Sequence, residues 1–369
     1  MFLRKNMKIL ILTNYDLGLY QFRKELIAEL LKENQVVISL PYGELVDKLV
    51  EMGCKFVDTP MERRGVNPLT DFSLFLRYKK LLKVEKPDFV ITYTIKPNEY
   101  GGFACRCLKI PYAANITGLG TAFQKKGMLR TLVTTMYKVS LKKAKTVFFE
   151  NSENMQIFLD EQIIRIEQAC LLNGAGVNLE HYSLLEYPTD CDTTRFLFIG
   201  RVMKEKGIEE LFAAMQKLRA DGDNCVLDVL GGYEEDYADI IKHYESEGWL
   251  FYHGYQEDVR PFIEKCHCFV LPSWHEGMAN TNLECAASGR PLITSNIAGC
   301  KEAVIDGKSG FLAEKQNVYS LYQAMKQFIT LSYEERKTMG IVGRKHMEEV
   351  FDKNVVISET IEPLGIKTN

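Results

Sequence analysis

Histidine is missing from the first 180 residues of this 369-residue chain, because the six histidines all lie at or after His181. No imidazole from the first predicted domain can serve as a general base, and no Ser-His-Asp arrangement is legible. Long hydrophobic runs are also missing, since no stretch approaches the roughly 20 apolar residues that a membrane-spanning helix needs. The first residues lack the features of a secretory signal as well.

The ten cysteines do not have the spacing of a disulfide framework. The two C-x-C pairs, at 105/107 and 266/268, are a poor signal for zinc. We therefore expect buried, reduced thiols, no metal site and a cytoplasmic location, peripheral on the inner face of the cell membrane. The net charge of −3 argues against a protein that binds polyanions with its whole surface.

Short apolar runs alternate with longer helical patterns, which predicts parallel sheets wrapped by helices. The expected strands are 9–13, 35–40, 56–59, 89–93, 112–116 and 146–150, then 195–200, 225–230, 250–253, 268–271 and 291–294. Between the two groups, residues 173–194 are rich in glycine, proline and polar side chains and are interpreted as a linker.

The predicted fold class is therefore α/β, with two doubly wound, Rossmann-like domains at 1–172 and 195–350. The last segment, 351–369, is expected to pack back on the first domain. Open parallel sheets bind ligands beyond the carboxyl ends of their strands. Two such domains facing each other would form a cleft lined by the loops that follow the strands.

Two glutamates eight residues apart, Glu276 and Glu284, are the most informative pair in the chain. They follow the apolar strand expected at 268–271, where a loop leads into a helix. Backbone N–H groups converge on an anion at such a place. Carboxylates do not bind phosphate, but they suit the hydroxyls of a ribose and a sugar beside one. The pattern predicts a nucleotide-sugar site.

Two cations, Arg201 and Lys206, flank the start of the helix that follows the strand at 195–200. The guanidinium fork and the ammonium both fit a diphosphate, and they would stabilise the charge on a departing nucleoside diphosphate. A solvated charge cluster at a helix start is the structural alternative.

Gly18, after the first strand, could let backbone approach a phosphate, although a plain turn glycine is equally compatible. No G-x-G-x-x-G supports dinucleotide binding.

Residues 100–149 contain nine Lys or Arg and no Asp or Glu. Apolar residues interleave with the cations at helical spacing, which is typical of a helix that lies on anionic lipid. The residues expected to contact a membrane are Lys125, Lys126, Arg130, Lys138 and Lys142. The alternative is a core-facing helix with a solvated basic face. No nucleic-acid motif accompanies the charge.

Together these features resemble a retaining glycosyltransferase of the GT-B fold, in glycosyltransferase family 4, the group 1 type. The resemblance covers nearly the whole chain. In the second half it is carried by 174–177, 200–207, the E-x7-E pair and 287–291. In the first half, 20–23, 96–98 and 115–120 are similar to members that assemble bacterial capsule, O-antigen or glycoprotein glycans on a lipid carrier.

The resemblance implies a role for each matching residue. Arg201 and Lys206 would hold the donor diphosphate, Glu284 the ribose hydroxyls and Glu276 the transferred sugar. Gly18 would lie under the phosphates and Tyr255 would border the base. The remaining expected donor contacts are Thr117, Gly277, Met278, Ala279, Asn280 and Leu283. Members of the family need no metal. Two departures are Thr117, where many relatives have histidine, and Asn178, where the linker usually has aspartate.

The expected activity is transfer of GalNAc, GlcNAc or galactose from a UDP-sugar to a hydroxyl of a lipid-linked glycan, with retention and without a cofactor. The expected partners are that donor, a polyprenyl-diphosphate-linked acceptor and an anionic membrane surface. Two alternatives stay open: a UDP-sugar 2-epimerase of the same architecture, and a non-catalytic partner in polysaccharide assembly.

Overall fold

The computed structural model describes residues 6–62, 67–120, 123, 127–189 and 192–368. The chain divides into two compact units. The first unit extends to Ala175 and resumes at Asn354, and the second unit is Gly176–Lys353. The segment interpreted as a linker is thus divided between them, with most of it belonging to the second unit.

The first unit is built on a parallel sheet whose strand order is β3-β2-β1-β4-β5-β6-β7. Its strands are β1 (Lys8–Leu12), β2 (Gln35–Leu40), β3 (Lys55–Asp58), β4 (Phe89–Tyr93), β5 (Tyr112–Ile116), β6 (Thr146–Phe149) and β7 (Ala169–Leu171). Its helices are α1 (Asp16–Leu31), α2 (Val46–Glu51), α3 (Pro68–Glu85), α4 (Gly102–Leu108), α5 (Met128–Leu141) and α6 (Ser152–Asp160).

Helices cover both faces of this sheet, so its central strands are apolar without alternation. Leu10 and Leu12 of β1 pack into the core beneath α3, α4 and α5. Ile9 and Ile11 point to the opposite face and pack beneath α1. The register places Leu10 beside Val37 of β2 and Val90 of β4.

The second unit repeats this plan, with strand order β10-β9-β8-β11-β12-β13. Its strands are β8 (Thr194–Ile199), β9 (Cys225–Leu230), β10 (Leu250–Gly254), β11 (Cys268–Leu271), β12 (Leu292–Ser295) and β13 (Gly310–Ala313). Its helices are α7 (Ile208–Ala220), α8 (Ala238–Ser246), α9 (Arg260–Lys265), α10 (Asn280–Ala287), α11 (Val318–Thr330) and α12 (Tyr333–Val350). The two parallel sheets, each wrapped by helices, confirm the predicted fold class.

The chain returns to the first unit through α13 (Lys353–Ile361). Ile361, Leu364 and Ile366 are buried in the core beneath α1. Lys145 Nζ donates to the carbonyl oxygen of Leu364 at 2.7 Å. The last residues are therefore part of the first unit's core.

Strands β7 and β13 are missing from the sequence prediction. Strand β7 has three residues, which is too few to show a period, and β13 begins at a glycine. The cysteines of the described chain are unpaired, and Cys107 is exposed whereas the others are buried or partly buried. None of the helices in the described ranges is long and apolar enough to cross a bilayer.

Candidate functional site

The second sheet reverses its winding between β8 and β11. Strand β8 pairs with β9 on one side and with β11 on the other. The loops after β8 and β11 therefore lead to opposite halves of the sheet, and an open parallel sheet binds ligands in the crevice between such loops. Arg201 and Lys206 follow β8, and Glu276 follows β11. The three residues predicted to be catalytic thus lie at one edge of the second unit.

The loops after β8 and β11 are bonded to each other. The backbone N–H of Trp274 donates to the carbonyl oxygen of Glu205 at 2.9 Å, and Ser273 Oγ donates to the same oxygen at 3.3 Å. Gly207 has φ 73°, and a Cβ there would lie 2.1 Å from the carbonyl oxygen of Pro272. Only glycine permits both this conformation and this approach.

Lys206 and Glu276 form an ion pair between these two loops. Lys206 Nζ donates to Glu276 Oε1, and the side chains are 18% and 13% exposed. A pair this sheltered is screened less than one on an open surface. Beside it, His275 Nε2 lies 3.5 Å from Glu205 Oε2. The arrangement presents an ammonium and a carboxylate together at the mouth of the crevice.

A tight turn at Gly299 supports the loop that carries Glu276. The backbone N–H of Ala279 donates to the Gly299 carbonyl at 2.7 Å, and Gly299 N donates to Glu302 Oε2 at 2.8 Å. Gly299 has φ 83°, and a Cβ there would lie 2.5 Å from the Gly277 carbonyl oxygen. Glu302 therefore holds the turn in place.

Helix α10 begins at Asn280, directly after this loop. No side chain caps its first turn within the described chain, and Asn280 Oδ1 is buried without a hydrogen-bond partner among the described residues. The first N–H groups of a helix have no partner inside the helix, and they bind anions well. The crevice therefore combines an uncapped helix start with the Lys206 ammonium.

Three of the predicted donor contacts have buried side chains. Met278, Ala279 and Leu283 are 6%, 4% and 0% exposed and belong to the core of the second unit. Met278 and Ala279 can therefore offer a ligand mainly their backbone groups. The Leu283 side chain has no exposed surface and packs α10 against the core.

Glu284 lies on α10, partly buried. Burial raises the pKa of Glu284 to about 7, although a hydrogen bond from the Tyr182 hydroxyl and the positive charge of Lys353 act in the opposite direction. Its carboxyl group therefore titrates near neutral pH. Perturbed groups of this kind are frequent at ligand sites.

Arg201 is paired with a different carboxylate. Its Nη1 lies 3.5 Å from Glu234 Oε2, and the Arg201 side chain is 51% exposed. The loop after β9 is held against this point, because a Cβ at Gly231 would lie 1.9 Å from the Gly200 carbonyl oxygen. Arg201 is recognisable in the sequence but Glu234 is not, because no spacing distinguishes Glu234 from the other acidic residues of the loop after β9.

Aromatic residues follow the neighbouring strands. Tyr255, expected to border the base, comes directly after β10 and is 57% exposed. The rings of Tyr233 and Tyr252 lie 4.7 Å apart, and the Tyr252 hydroxyl donates to the Gly231 carbonyl at 2.8 Å. The sequence does not reveal this pair, because Tyr233 in the loop after β9 and Tyr252 in β10 have no recognisable spacing.

Gly18 and Thr117 belong to the first unit. Gly18 is in the first turn of α1, and Thr117 directly follows β5. Both are partly buried. A Cβ at Gly18 would meet only Tyr15, at an ordinary 3.8 Å. Packing within the described chain therefore does not require glycine at this position.

The predicted membrane-contact residues fall into three groups. Lys138 and Lys142 are exposed on α5 and directly after it. Arg130 instead forms an ion pair with Glu161, and Arg130 Nε donates to Glu161 Oε1 at 2.9 Å. Burial acts to raise the pKa of Glu161, but hydrogen bonds from Arg130 and Thr134 lower it overall. The positions of Lys125 and Lys126 lie outside the described residues.

In the part of the chain that the structure describes, no three His, Cys, Asp or Glu side chains are grouped as metal ligands. The crevice holds the cations Arg201 and Lys206, each paired with a carboxylate.

Two family models match the chain in succession. "Glycosyl transferase 4-like" matches residues 8–151, and "Glycosyl transferases group 1" matches residues 187–346. The second match contains Arg201, Lys206, Glu276 and Glu284.

Among similar curated proteins is the N,N'-diacetylbacillosaminyl-diphospho-undecaprenol alpha-1,3-N-acetylgalactosaminyltransferase of Campylobacter jejuni. It is 26% identical over 95% of this chain and 96% of its own length. The UDP-Gal:alpha-D-GlcNAc-diphosphoundecaprenol alpha-1,3-galactosyltransferase of Escherichia coli is also 26% identical, over 80% of this chain and 81% of its own.

Solved structures show the same fold at low identity. HepE of Anabaena, crystallised with UDP and glucose, has a TM-score of 0.79 and 16% identity, with 97% of this chain and 99% of that chain covered. A glycosyltransferase of Rickettsia africae has a TM-score of 0.78 and 17% identity over 97% and 98%. The successive family matches, the shared fold and the glycosyltransferase relatives agree with the residues of the crevice: the chain is a GT-B glycosyltransferase of the group 1 type.

Proposed function

We propose that this protein transfers a hexose or N-acetylhexosamine from a UDP-sugar to a hydroxyl of a polyprenyl-diphosphate-linked glycan, with retention of the anomeric configuration. The observation that carries the proposal is the Lys206–Glu276 pair, held between the loops after β8 and β11. Two relatives, matched over 95% and 80% of this chain, are named as transferases that act on diphosphoundecaprenol-linked sugars.

The donor diphosphate lies at the start of α10 and is neutralised by Lys206 and Arg201. Both cations are already placed at the carboxyl edge of the second sheet. Glu276 accepts hydrogen bonds from hydroxyls of the transferred sugar, and Glu284 accepts them from the ribose. The cations bind the diphosphate and the carboxylates bind the hydroxyls. The side chains therefore supply the charge stabilisation, and a metal is not required.

The reaction follows a front-face route. The bond between the anomeric carbon and the diphosphate oxygen breaks, and the acceptor oxygen forms its bond on the same face. The acceptor proton goes to the leaving phosphate oxygen. Lys206 and Arg201 stabilise the charge that develops there, an effect of the kind that contributes about 10²–10³ in rate. Glu276 is ion-paired, which favours an orienting role over that of a covalent nucleophile.

The first unit provides the surface that faces the membrane. Helices α3 and α5 both pack against α4, and each exposes large apolar side chains. These are Leu69, Phe72 and Leu76 on α3, and Met128, Leu129 and Leu132 on α5. Lys138 and Lys142, which are exposed at the end of α5, add positive charge to this unit. Exposed apolar side chains with adjacent cations suit an anionic bilayer surface, where lipid-linked acceptors are held.

The proposal is tested by incubating the protein with a panel of UDP- and GDP-sugars and a synthetic polyprenyl-diphosphate monosaccharide. Thermal stabilisation identifies the donor, because a ligand of the native state raises the unfolding temperature. The product should be a disaccharide lipid with the donor's anomeric configuration, read from its proton NMR coupling. An epimerised UDP-sugar in the absence of acceptor indicates the 2-epimerase. If no sugar nucleotide in the panel stabilises the protein or reacts, the protein is a non-catalytic assembly partner.

A further inference from the structure

The first sheet also reverses its winding, between β1 and β4. Strand β1 pairs with β2 on one side and β4 on the other, so a second ligand crevice is expected at the carboxyl ends of β1 and β4. The chain after β4 turns at Thr94 and then forms a π-helical turn, Pro97–Gly101. This turn packs on the end of β1, because a Cβ at Gly101 would lie 2.7 Å from Leu12 Cδ1.

Two local features mark this turn as more than a connection. Thr94 has φ 70°, which is rare and strained for a β-branched residue. The π-helical turn that follows is a distortion that occurs frequently at functional sites. Asn98 fixes the turn: its Nδ2 donates to the Asn115 carbonyl at 2.8 Å, and its Oδ1 accepts from Thr92 Oγ1 at 2.6 Å.

The same turn carries a buried acid that has an open oxygen. Glu99 is 5% exposed, and its Oε1 has no hydrogen-bond partner among the residues that the structure describes. Burial raises the pKa of Glu99 to about 8, with the charge of Asp71 adding to this effect and that of Lys96 opposing it. The carboxyl group is therefore mostly protonated and neutral at pH 7.

The charged neighbours of Glu99 are already satisfied by each other. Lys96 Nζ donates to Asp71 Oδ1 at 2.9 Å, and both side chains are buried. The Tyr100 hydroxyl also bonds to Asp71. The Tyr137 hydroxyl of α5 bonds to Asn98 instead. Glu99 is thus the member of this cluster with an acceptor to spare, and buried acceptors are rarely left without a donor.

We propose that Glu99 is a sugar-recognising residue of the first unit, whose Oε1 accepts a hydrogen bond from an uncharged donor group of the acceptor glycan. That group is a hydroxyl or the N–H of an acylamino substituent. A phosphate fits poorly, because it would face the negative charge of the Asp71 carboxylate. The inference rests on the proposed function and adds a specificity determinant that is separate from Lys206 and Glu276.

The test compares Glu99→Leu, which removes the acceptor at similar size, with Glu99→Gln, which keeps a carbonyl oxygen there. Initial transfer rates are measured at saturating donor against two synthetic polyprenyl-diphosphate monosaccharides. One carries an N-acetylamino group and the other carries a hydroxyl at the same position. Binding of UDP by calorimetry and the unfolding temperature are measured for each variant.

Glu99→Leu is expected to raise the acceptor KM about 10- to 100-fold, as expected when a ligand donor is left unpaired. UDP affinity should stay within twofold, the unfolding temperature should be equal or higher, and Glu99→Gln should keep the KM within about threefold. The probe whose KM changes more identifies the recognised group. Unchanged acceptor KM in Glu99→Leu overturns the inference, as does an equal loss of UDP affinity. Absence of transfer by the wild type contradicts the proposed function itself and removes the basis of this inference.

Discussion

Lys206 and Glu276 are 70 positions apart in the sequence, yet the ammonium of one donates to the carboxylate of the other. The Gly207 turn against the Pro272 carbonyl sets the distance between their loops. One ammonium therefore pairs with a carboxylate suited to sugar hydroxyls, in a loop that leads into the start of α10. This adjacency of opposite charges is the basis of the proposed donor site.

Replacing the cation of this pair should remove catalysis and leave the fold. Lys206→Ala is expected to lower kcat by about 10²–10³, because the charge on the departing phosphate loses a preorganised partner. The far-ultraviolet circular dichroism spectrum should be that of the wild type. Lys204→Ala is the matched control, since Lys204 lies in the same loop and pairs with Glu209 at 3.3 Å. Near-normal turnover in Lys206→Ala would reject the role assigned to it.

Donor affinity should depend on pH through Glu284. Burial raises the pKa of Glu284 to about 7, and an ionised carboxylate accepts stronger hydrogen bonds from ribose hydroxyls. Calorimetric affinity for the UDP-sugar should therefore rise between pH 6 and pH 8, by at most about tenfold. Glu284→Gln should bind more weakly, with no such slope. The UDP-sugar is preferred to UDP as the probe, because a terminal phosphate titrates near pH 6. Equal slopes in both proteins would remove Glu284 from the site.

Stability should fall as pH rises through the titration of Glu99. Its pKa in the folded protein is about 8, above the usual 4.5, so the native state holds a proton that the unfolded chain releases. The unfolding free energy is then highest below about pH 4.5 and declines up to about pH 8, by a few kcal/mol at most. In urea unfolding at pH 5 and pH 8.5, Glu99→Gln should show a smaller decline than the wild type, and the part due to Glu284 should remain. Glu153→Gln, at an exposed site on α6, serves as the control and should behave as the wild type.

Two glycine variants separate ligand crowding from folding. Gly18→Ala should keep the unfolding free energy within about 1 kcal/mol, because the added Cβ meets only Tyr15 at 3.8 Å. The family resemblance implies a phosphate beside Gly18, so the donor KM is nevertheless expected to rise. Gly207→Ala should instead destabilise the protein, because of its φ of 73° and the 2.1 Å contact with Pro272. An unaltered donor KM in Gly18→Ala would show that Gly18 has no role in donor binding.

Membrane contact should depend on the lysines at the end of α5. The double variant Lys138→Ala/Lys142→Ala removes two exposed cations, each worth about 1 kcal/mol near an anionic surface. Its partition coefficient onto phosphatidylglycerol vesicles should fall about 30-fold in co-sedimentation, whereas phosphatidylcholine vesicles should bind both proteins weakly. Lys242→Ala/Lys315→Ala, exposed lysines of the second unit, should match the wild type. Equal loss in both double variants would place the contact elsewhere.

Much of the fold could be predicted from the sequence, because strands buried on both faces are continuous apolar runs. The runs at 35–40, 89–93, 112–116, 225–230 and 268–271 coincide with β2, β4, β5, β9 and β11. The sequence shows a helical pattern at 21–32, whereas α1 begins earlier, at Asp16, because Gly18 in its first turn weakens the helical signal there. Local composition shows which runs are strands but not where short edge strands such as β7 are paired.

The site could be predicted only as far as single residues. Charge and position after a strand identified Lys206 and Glu276, but their pairing depends on the order of β8 and β11 in the sheet. Arg130 was predicted to contact a membrane because no acidic residue lies near it in the sequence. In the fold, Glu161 at the end of α6 forms an ion pair with it. No sequence motif marks Glu99, because its raised pKa comes from burial beside Asp71 and Lys96.

The most direct test of the central claim is backbone hydrogen exchange, followed by mass spectrometry, with and without UDP. The account predicts slower exchange in peptides spanning 200–207 and 272–284 when UDP is added, and a much smaller effect in Lys206→Ala at the same UDP concentration. Protection confined to other segments, with these two loops unchanged, would contradict a nucleoside diphosphate site at the junction of β8 and β11.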